Sequence, residues 1–319
     1  MSSATTDVRV LHAVLGSGPA GTALARELAR RGHAVRLVDR TAGGAAIDGV
    51  ERFAADVSTT TGARQAVAGA AVVYHCVNVG YHLQVEVMPR IQAAVLGAVM
   101  EAGARLVVLD TLYPYGETRG AVMTEETPWN ATSRKGRMRA ELDDRYLAAH
   151  RQGRAQVVLG RSADFVGPGV LNSTLGAAVF PGALTGGEVL GLGDLDLPHS
   201  YTYIRDVAAG LATLGERPEG DGRVWHLPTA RAVSTREVYT MIEKRVGRPL
   251  NVVVLEEPRP FGPFDQNFMD EYAEMFYQHT EPQVMDSSAI ERSFGLVPNP
   301  LADTLDTTLA WFRTWLTHR

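Results

Sequence analysis

"VRVLHAVLGSGPAGTALARELARRGHAVRLVD", residues 8–39, decides the fold. Residues 8–15 are a short apolar run rich in β-branched side chains, the pattern of a buried strand. The run stops at Gly16-Ser17-Gly18-Pro19-Ala20-Gly21, a G-x-G-x-x-G spacing. Beyond it Leu24 and Leu28 lie four apart on one helix face. Arg26, Arg30 and Arg31 fall largely off that stripe, and Gly32 is placed to end the helix. "HAVRLVD" is a second strand that closes on Asp39, 18 residues past Gly21. Strand, glycine turn, helix, strand and acid together predict a dinucleotide site. Gly16 permits the tight turn, Gly18 lets backbone approach a pyrophosphate, and Gly21 lets the helix pack against the strand. Ser17, Pro19 and Ala20 complete the loop, where the helix start offers free N–H groups and a partial positive charge. Asp39 suits the adenosine ribose hydroxyls, which favours NAD over NADP; Arg40 beside it is the group able to hold a 2′-phosphate instead.

The same alternation continues outward. "AAVVYHCVNV", "ARLVVLD" (104–110) and "AQVVLG" (155–160) read as further strands, with helices from about Met88 to Ala102 and Gly136 to Arg151 between them. Strands alternating with helices predict an α/β fold with a doubly wound parallel sheet, a Rossmann arrangement. After Pro168 the rhythm weakens. "TREVYTMIEKRVGRPLNVVVL" (235–255) reads as helix, turn and strand, and a last helix spans roughly Leu301 to Leu316. The expected division is a nucleotide-binding domain over 7–166, with 200–230 returning to it. A smaller C-terminal substrate-binding lobe would use 167–199 and 231–319.

The totals exclude several classes. A formal charge of -5 across 319 residues leaves no basic surface of the kind nucleic acid needs. One cysteine, Cys76, rules out an intrachain disulfide framework and fits a reducing compartment. There is no signal-peptide pattern and no apolar run long enough to span a membrane, so the expectation is a cytoplasmic protein with no membrane partner. No His/Cys/Asp cluster has metal-ligand spacing. Only Lys135 and Lys244 are lysines among the 31 basic residues, a bias that makes each of them worth following.

Together these segments resemble the extended short-chain dehydrogenase/reductases, the NAD-dependent epimerase/dehydratase family. "DVSTTTGARQAVAGAAVVYHCVNV" is similar to the family's third and fourth strand region. The resemblance implies that Asp56 and Val57 flank the adenine and that Val77 and Asn78 line the nicotinamide side. "LDTLYPYG", "GRSADFVGPG" (160–169), "HSYTYIRDVAAGL" (199–211) and "VMDSSAIERSFGLVPNPL" (284–301) resemble later family segments in order and spacing. A homodimer is an expectation of the resemblance alone.

The family's chemistry uses a Ser or Thr, a Tyr, and a Lys four residues after the Tyr. Thr111 matches the first and would hold a substrate oxygen. The Tyr/Lys pair is missing. Aligning on Glu141 puts Arg137 at the lysine position and Ser133 at the tyrosine position, while aligning on Lys135 puts Ala131 at the tyrosine position. Within a formed helix Lys135 and Arg137 point ~200° apart. Arg137 or Lys135 would then fix the ribose. Tyr113, two residues past Thr111, is the candidate proton shuttle, although a free phenol near pKa 10 is a poor base at neutral pH. The stripe Met138, Leu142 and Tyr146 marks the buried face of that helix. His82, Tyr115, Asp164, Phe165 and Tyr203 are the candidate substrate contacts. His75 and Cys76 read as core residues.

The expected activity is NAD(P)-dependent oxidoreduction or epimerisation of a small hydroxyl- or carbonyl-bearing substrate. Two alternatives stay open: a lyase- or cyclase-type proton transfer with structural nucleotide, and a dinucleotide-binding sensor without turnover.

Overall fold

The structure, a computed structural model, describes residues 10–318. Val8 and Arg9 of the first expected strand, and the domain start at residue 7, lie outside the described residues. Strand β1 (Leu11–Leu15) leads through helix α1 (Pro19–Arg30) to β2 (Ala34–Asp39) and then β3 (Val50–Ala54). Helix α2 (Thr60–Val67) precedes β4 (Val72–His75), α3 (Tyr81–Ala102) and β5 (Arg105–Thr111). Helix α4 (Arg134–Arg151) leads to β6 (Gln156–Ser162), and a last strand, Val224–His226, completes the sheet. The spatial order is Val224–His226, β6, β5, β4, β1, β2, β3, with every neighbour parallel. The chain therefore runs to one edge through β2 and β3, then returns beside β1 and runs to the other edge. That reversal between β1 and β4 is the switch point where such sheets bind ligands.

Apolar strands buried on both faces explain the sheet. Val14, Leu15, Leu106, Val107, Val157 and Leu159 are all fully buried. Leu24 and Leu28 of α1 are buried as the stripe predicts, each contributing roughly 1.5–3 kcal/mol of burial. Gly32 takes φ +90 just past the end of α1. Helix α3 begins at Tyr81, not near Met88, and carries Pro89 inside it. Gly80 just before Tyr81 and the proline at 89 hid these first two turns. The loss of one N–H at Pro89 is tolerated within a 22-residue helix.

A second body packs over the C-terminal ends of the strands. Its core joins Val179, Phe180, Val238, Ile242, Leu309 and Phe312. It contains a two-stranded parallel sheet of Glu188–Leu192 with Asn251–Leu255. The helix–turn–strand reading of 235–255 appears as helix Thr235–Val246 and that second strand, and the last helix is Leu301–Thr317. Helix Gln266–Tyr272 and the following turn pack toward the start of α3 and α4. Among the described residues no helix is long and apolar enough to cross a membrane.

Candidate functional site

The glycine loop has the backbone its spacing predicts. Gly16 sits at φ +99 and has no room for a side chain, since a Cβ there would meet the Cys76 carbonyl. A Cβ on Gly21 would collide with the Gly16 carbonyl oxygen. Gly18 differs: among the described residues nothing lies within 4 Å of where its Cβ would be. Gly18 is also the N-cap of α1, with Pro19 in the first turn and no side chain capping the helix. The first N–H groups are left for an anion.

Asp39 ends β2 as expected and accepts hydrogen bonds from the Thr41 amide (2.8 Å) and hydroxyl (3.1 Å). Burial pushes its carboxyl up, but donors from Ser17 and Thr41 outweigh this and hold it below the usual carboxylate range. A side cavity of about 490 Å³ joins Ser17, Asp39, Arg40, Arg26 and Arg52. Asp56 is exposed and accepts from Ser58, and Val57 is buried in the sheet core; neither lines a cavity described here.

The main cleft, about 1180 Å³, opens at the β1/β4 switch point. It runs from Gly16–Ala20 past Cys76, Val77 and Asn78 to Thr111 and Tyr113, and on to Asp164, Phe165 and His199. The loop residues Ser17, Pro19 and Ala20 and the exposed His82 line it too. Tyr115 and Tyr203 do not. Tyr115 is 1% exposed, and its hydroxyl donates to His226 Nε2 at 2.7 Å, since Nδ1 of that ring donates to the Asp286 carbonyl. Tyr203 is packed in the α1-side core. Cys76 borders the cleft rather than the core alone, with burial pushing its thiol up to about 12. His75 is buried as expected, but its Nε2 has no partner, and burial lowers its pKa to about 4.

Helix α4 places its candidate residues differently from the alignment on Glu141. Ser133, which the alignment on Glu141 puts at the tyrosine position, is the N-cap, its hydroxyl accepting from the Gly136 amide at 3.1 Å. Arg137 points to solvent and donates to the Thr132 carbonyl, away from the cleft. The helical cation at the cleft is Arg139, which is 6% exposed and donates to Asn78 Oδ1 at 2.9 Å. Its Nε is buried with no partner. One turn earlier stands Lys135, fully buried. Its ammonium donates to Glu271 Oε2 (2.6 Å), Glu274 Oε1 (2.7 Å) and the Glu271 carbonyl (3.0 Å). It therefore ties α4 to the covering body and is not presented to the cleft. Sequence could have found this. Lys135 and Arg139 fall in helical phase with the Met138, Leu142, Tyr146 stripe, whereas Arg137 does not.

Two phenols meet at the cleft wall, where the Tyr81 and Tyr113 hydroxyls share a 2.7 Å hydrogen bond. Tyr81 went unnoticed in the sequence because it opens a helix expected to start later. Burial drives both phenols well above their ordinary value. The Lys135 ammonium is 5.7 Å from the Tyr81 ring, too committed to its carboxylates to reverse this. Across the cleft His199 Nε2 donates to Asp164 Oδ2 at 3.1 Å, and Thr174 donates to the same oxygen at 3.0 Å. Burial pushes Asp164 up, but the His199 and Thr174 donors and the His279 charge hold it below the usual range. An oriented carboxylate–imidazole pair can accept and return a proton.

A model of the NAD dependent epimerase/dehydratase family matches residues 13–227. The chain belongs to that family. Solved structures share the fold at low identity. MoeE5 in complex with UDP-glucose and NAD is 20% identical, covering 96% of this chain and 99% of its own, with a TM-score of 0.79. The UDP-glucose 4-epimerase of Thermotoga maritima is 17% identical over 96% and 100%, with a TM-score of 0.80. The dTDP-glucose 4,6-dehydratase of Streptomyces venezuelae, with NAD bound, is 20% identical over 96% and 97%, with a TM-score of 0.78. No curated protein sequence matches the chain. Against the family's Tyr-x-x-x-Lys spacing, this epimerase/dehydratase member carries Lys135-x-x-x-Arg139 on the buried face of α4.

Proposed function

We propose that the chain is an NAD(H)-dependent oxidoreductase or epimerase acting on a small hydroxyl- or carbonyl-bearing metabolite. The observation that carries this reading is continuity. One cleft runs from the glycine loop, past Asn78 and Arg139, to Thr111 and the Asp164–His199 pair. The residues fit the dinucleotide. The open space at Gly18, the uncapped start of α1 and the unpartnered Arg139 Nε all await a ligand. The bound cofactor would accept or return hydride at its nicotinamide ring.

The chain's own residues supply the rest. Asp39 would bind the adenosine ribose, a carboxylate that repels a 2′-phosphate and favours NAD over NADP. Arg139 would hold the nicotinamide ribose in place of the family lysine. Thr111 would hold the reacting oxygen. His199, oriented by Asp164, would move the proton, because the Tyr81–Tyr113 phenols are held neutral. Val77 and Asn78, which line the cleft, would lie beside the nicotinamide. Residues 7–166 with 200–230 would form the nucleotide-binding domain, and 167–199 with 231–319 the substrate lobe.

Binding without turnover is a second reading. It is favoured by the withdrawal of Lys135 into its ion pairs. One experiment separates the two. The protein is titrated with NAD⁺, NADH, NADP⁺ and NADPH, and absorbance at 340 nm is followed while alcohols and ketones are screened. Micromolar NAD(H) binding with a substrate-dependent change at 340 nm is the expected result. Binding with no such change across the screen favours the sensor, and no binding of any dinucleotide defeats both.

A further inference from the structure

The substrate end of the cleft has a chemistry of its own. Asp164, Asp265 and Asp270 line it, and among the described residues none of the three has an arginine or lysine partner. Arg139, the single arginine or lysine lining the cleft among the described residues, is bonded to Asn78 on the nucleotide side. Asp110 is neutralised from behind by the buried Arg161 at 2.6 Å, and Glu271 by Lys135. Among the described residues lining this end, no fixed cation remains to receive a phosphate.

What the substrate end does offer is aromatic surface and neutral polar atoms. Phe264 and Phe268 stack with centroids 4.6 Å apart, and Tyr81 meets Phe268 edge-on at 5.3 Å. Phe165 lines the cleft as well. Two buried amide atoms of cleft-lining residues have no partner, Gln84 Oε1 and Gln283 Nε2. Buried polar atoms without partners mark places where a ligand's hydroxyl or carbonyl completes the bonding. Rings stack on aromatic walls, while anions placed against carboxylates are rejected.

We propose that the substrate is an uncharged, ring-containing alcohol or ketone without a phosphate group, and that the cleft excludes sugar nucleotides. This rests on the dinucleotide reading above and departs from the sugar-nucleotide ligands of the similar solved structures.

The test uses the full chain saturated with NAD⁺, so that cofactor binding is established before any substrate probe is added. UDP-glucose is titrated by calorimetry, and three neutral ring ketones, 1-indanone, 2-tetralone and cyclohexanone, are followed by saturation-transfer NMR. UDP-glucose should show no binding up to millimolar concentration, and at least one ketone should receive saturation. That transfer should be lost in Phe268→Ala, which should keep its NADH affinity. In Asp164→Asn/Asp265→Asn/Asp270→Asn, UDP-glucose binding should become measurable within the same millimolar range. Micromolar UDP-glucose binding to the unmodified chain overturns the proposal, and so does saturation of none of the ketones. Failure of NAD⁺ to bind at the first step counts instead against the dinucleotide reading.

Discussion

Replacing Lys135 with methionine isolates the contact that ties α4 to the covering body. The ammonium is fully buried, and it answers two carboxylates at 2.6 and 2.7 Å. Removing one member of a buried ion pair costs about 3–5 kcal/mol, because the remaining charge is stranded. Here Glu271 and Glu274 keep 28% and 19% exposure, and Arg134 stays 3.1 Å from Glu271. Water and Arg134 therefore recover part of the loss, which brings the expected cost to about 2 kcal/mol. With an unfolding entropy of ~2.1 cal/mol/K per residue, a chain of 319 residues should lose about 3 °C in Tm. The pH dependence has a definite sign. The Lys135 hydrogen bond lowers the folded pKa of Glu271, so this stability is fully present above the unfolded carboxylate value, ~4.3. It is lost as pH falls through the lower folded value. Calorimetry of the wild type and Lys135→Met at pH 7 and below pH 4 should show a gap that closes in acid. Adding Glu271→Gln and Glu274→Gln to the variant should restore most of the Tm by removing the stranded charges. Equal melting at neutral pH, or a gap that persists in acid, would refute the reasoning.

Other substitutions separate the site's parts. Gly21→Ala drives a methyl into the Gly16 carbonyl and should cost stability together with NADH affinity. Gly18→Ala meets no protein atom and should leave Tm unchanged while weakening NADH by at least ~10-fold, read by fluorescence titration. Arg139→Met should weaken NADH binding about 10-fold, whereas exposed Arg137→Ala should leave it unaltered; the reverse ranking would restore Arg137 to the ribose. Once a substrate is in hand, His199→Gln should slow turnover by ~100-fold or more, and Tyr113→Phe by under ~10-fold. A larger loss in the tyrosine variant would return the proton to the phenol pair.

Local rules made the nucleotide half legible. The glycine spacing, the stripe of α1 and the acid at the end of β2 are each set within a few residues, and each was read in place. The cations of α4 were harder, because their placement depends on helix phase. Glu141 offered a matching letter, and aligning on it moved the expected ribose contact to a solvent-facing turn. The buried stripe carried the right phase and pointed to Lys135 and Arg139. Tyr115 and Tyr203 lie away from the cleft for a different reason. A tyrosine near a strand end can turn toward ligand or toward core, and His226 and the α1-side core decide this from more than 100 residues away and from across the sheet. The Asp164–His199 pair joins two segments 35 residues apart, so no local pattern could announce it.

The near absence of lysine has a practical consequence. Of the two side-chain amines, Lys244 is exposed and Lys135 is sealed beneath the covering body. An amine-acylating reagent should therefore modify Lys244 at once and leave Lys135 untouched while the 265–279 segment stays seated. Acylation of Lys135 then becomes a built-in clock: its rate, followed by peptide mass spectrometry, reports how often the cleft's cover lifts and whether a dinucleotide slows that motion.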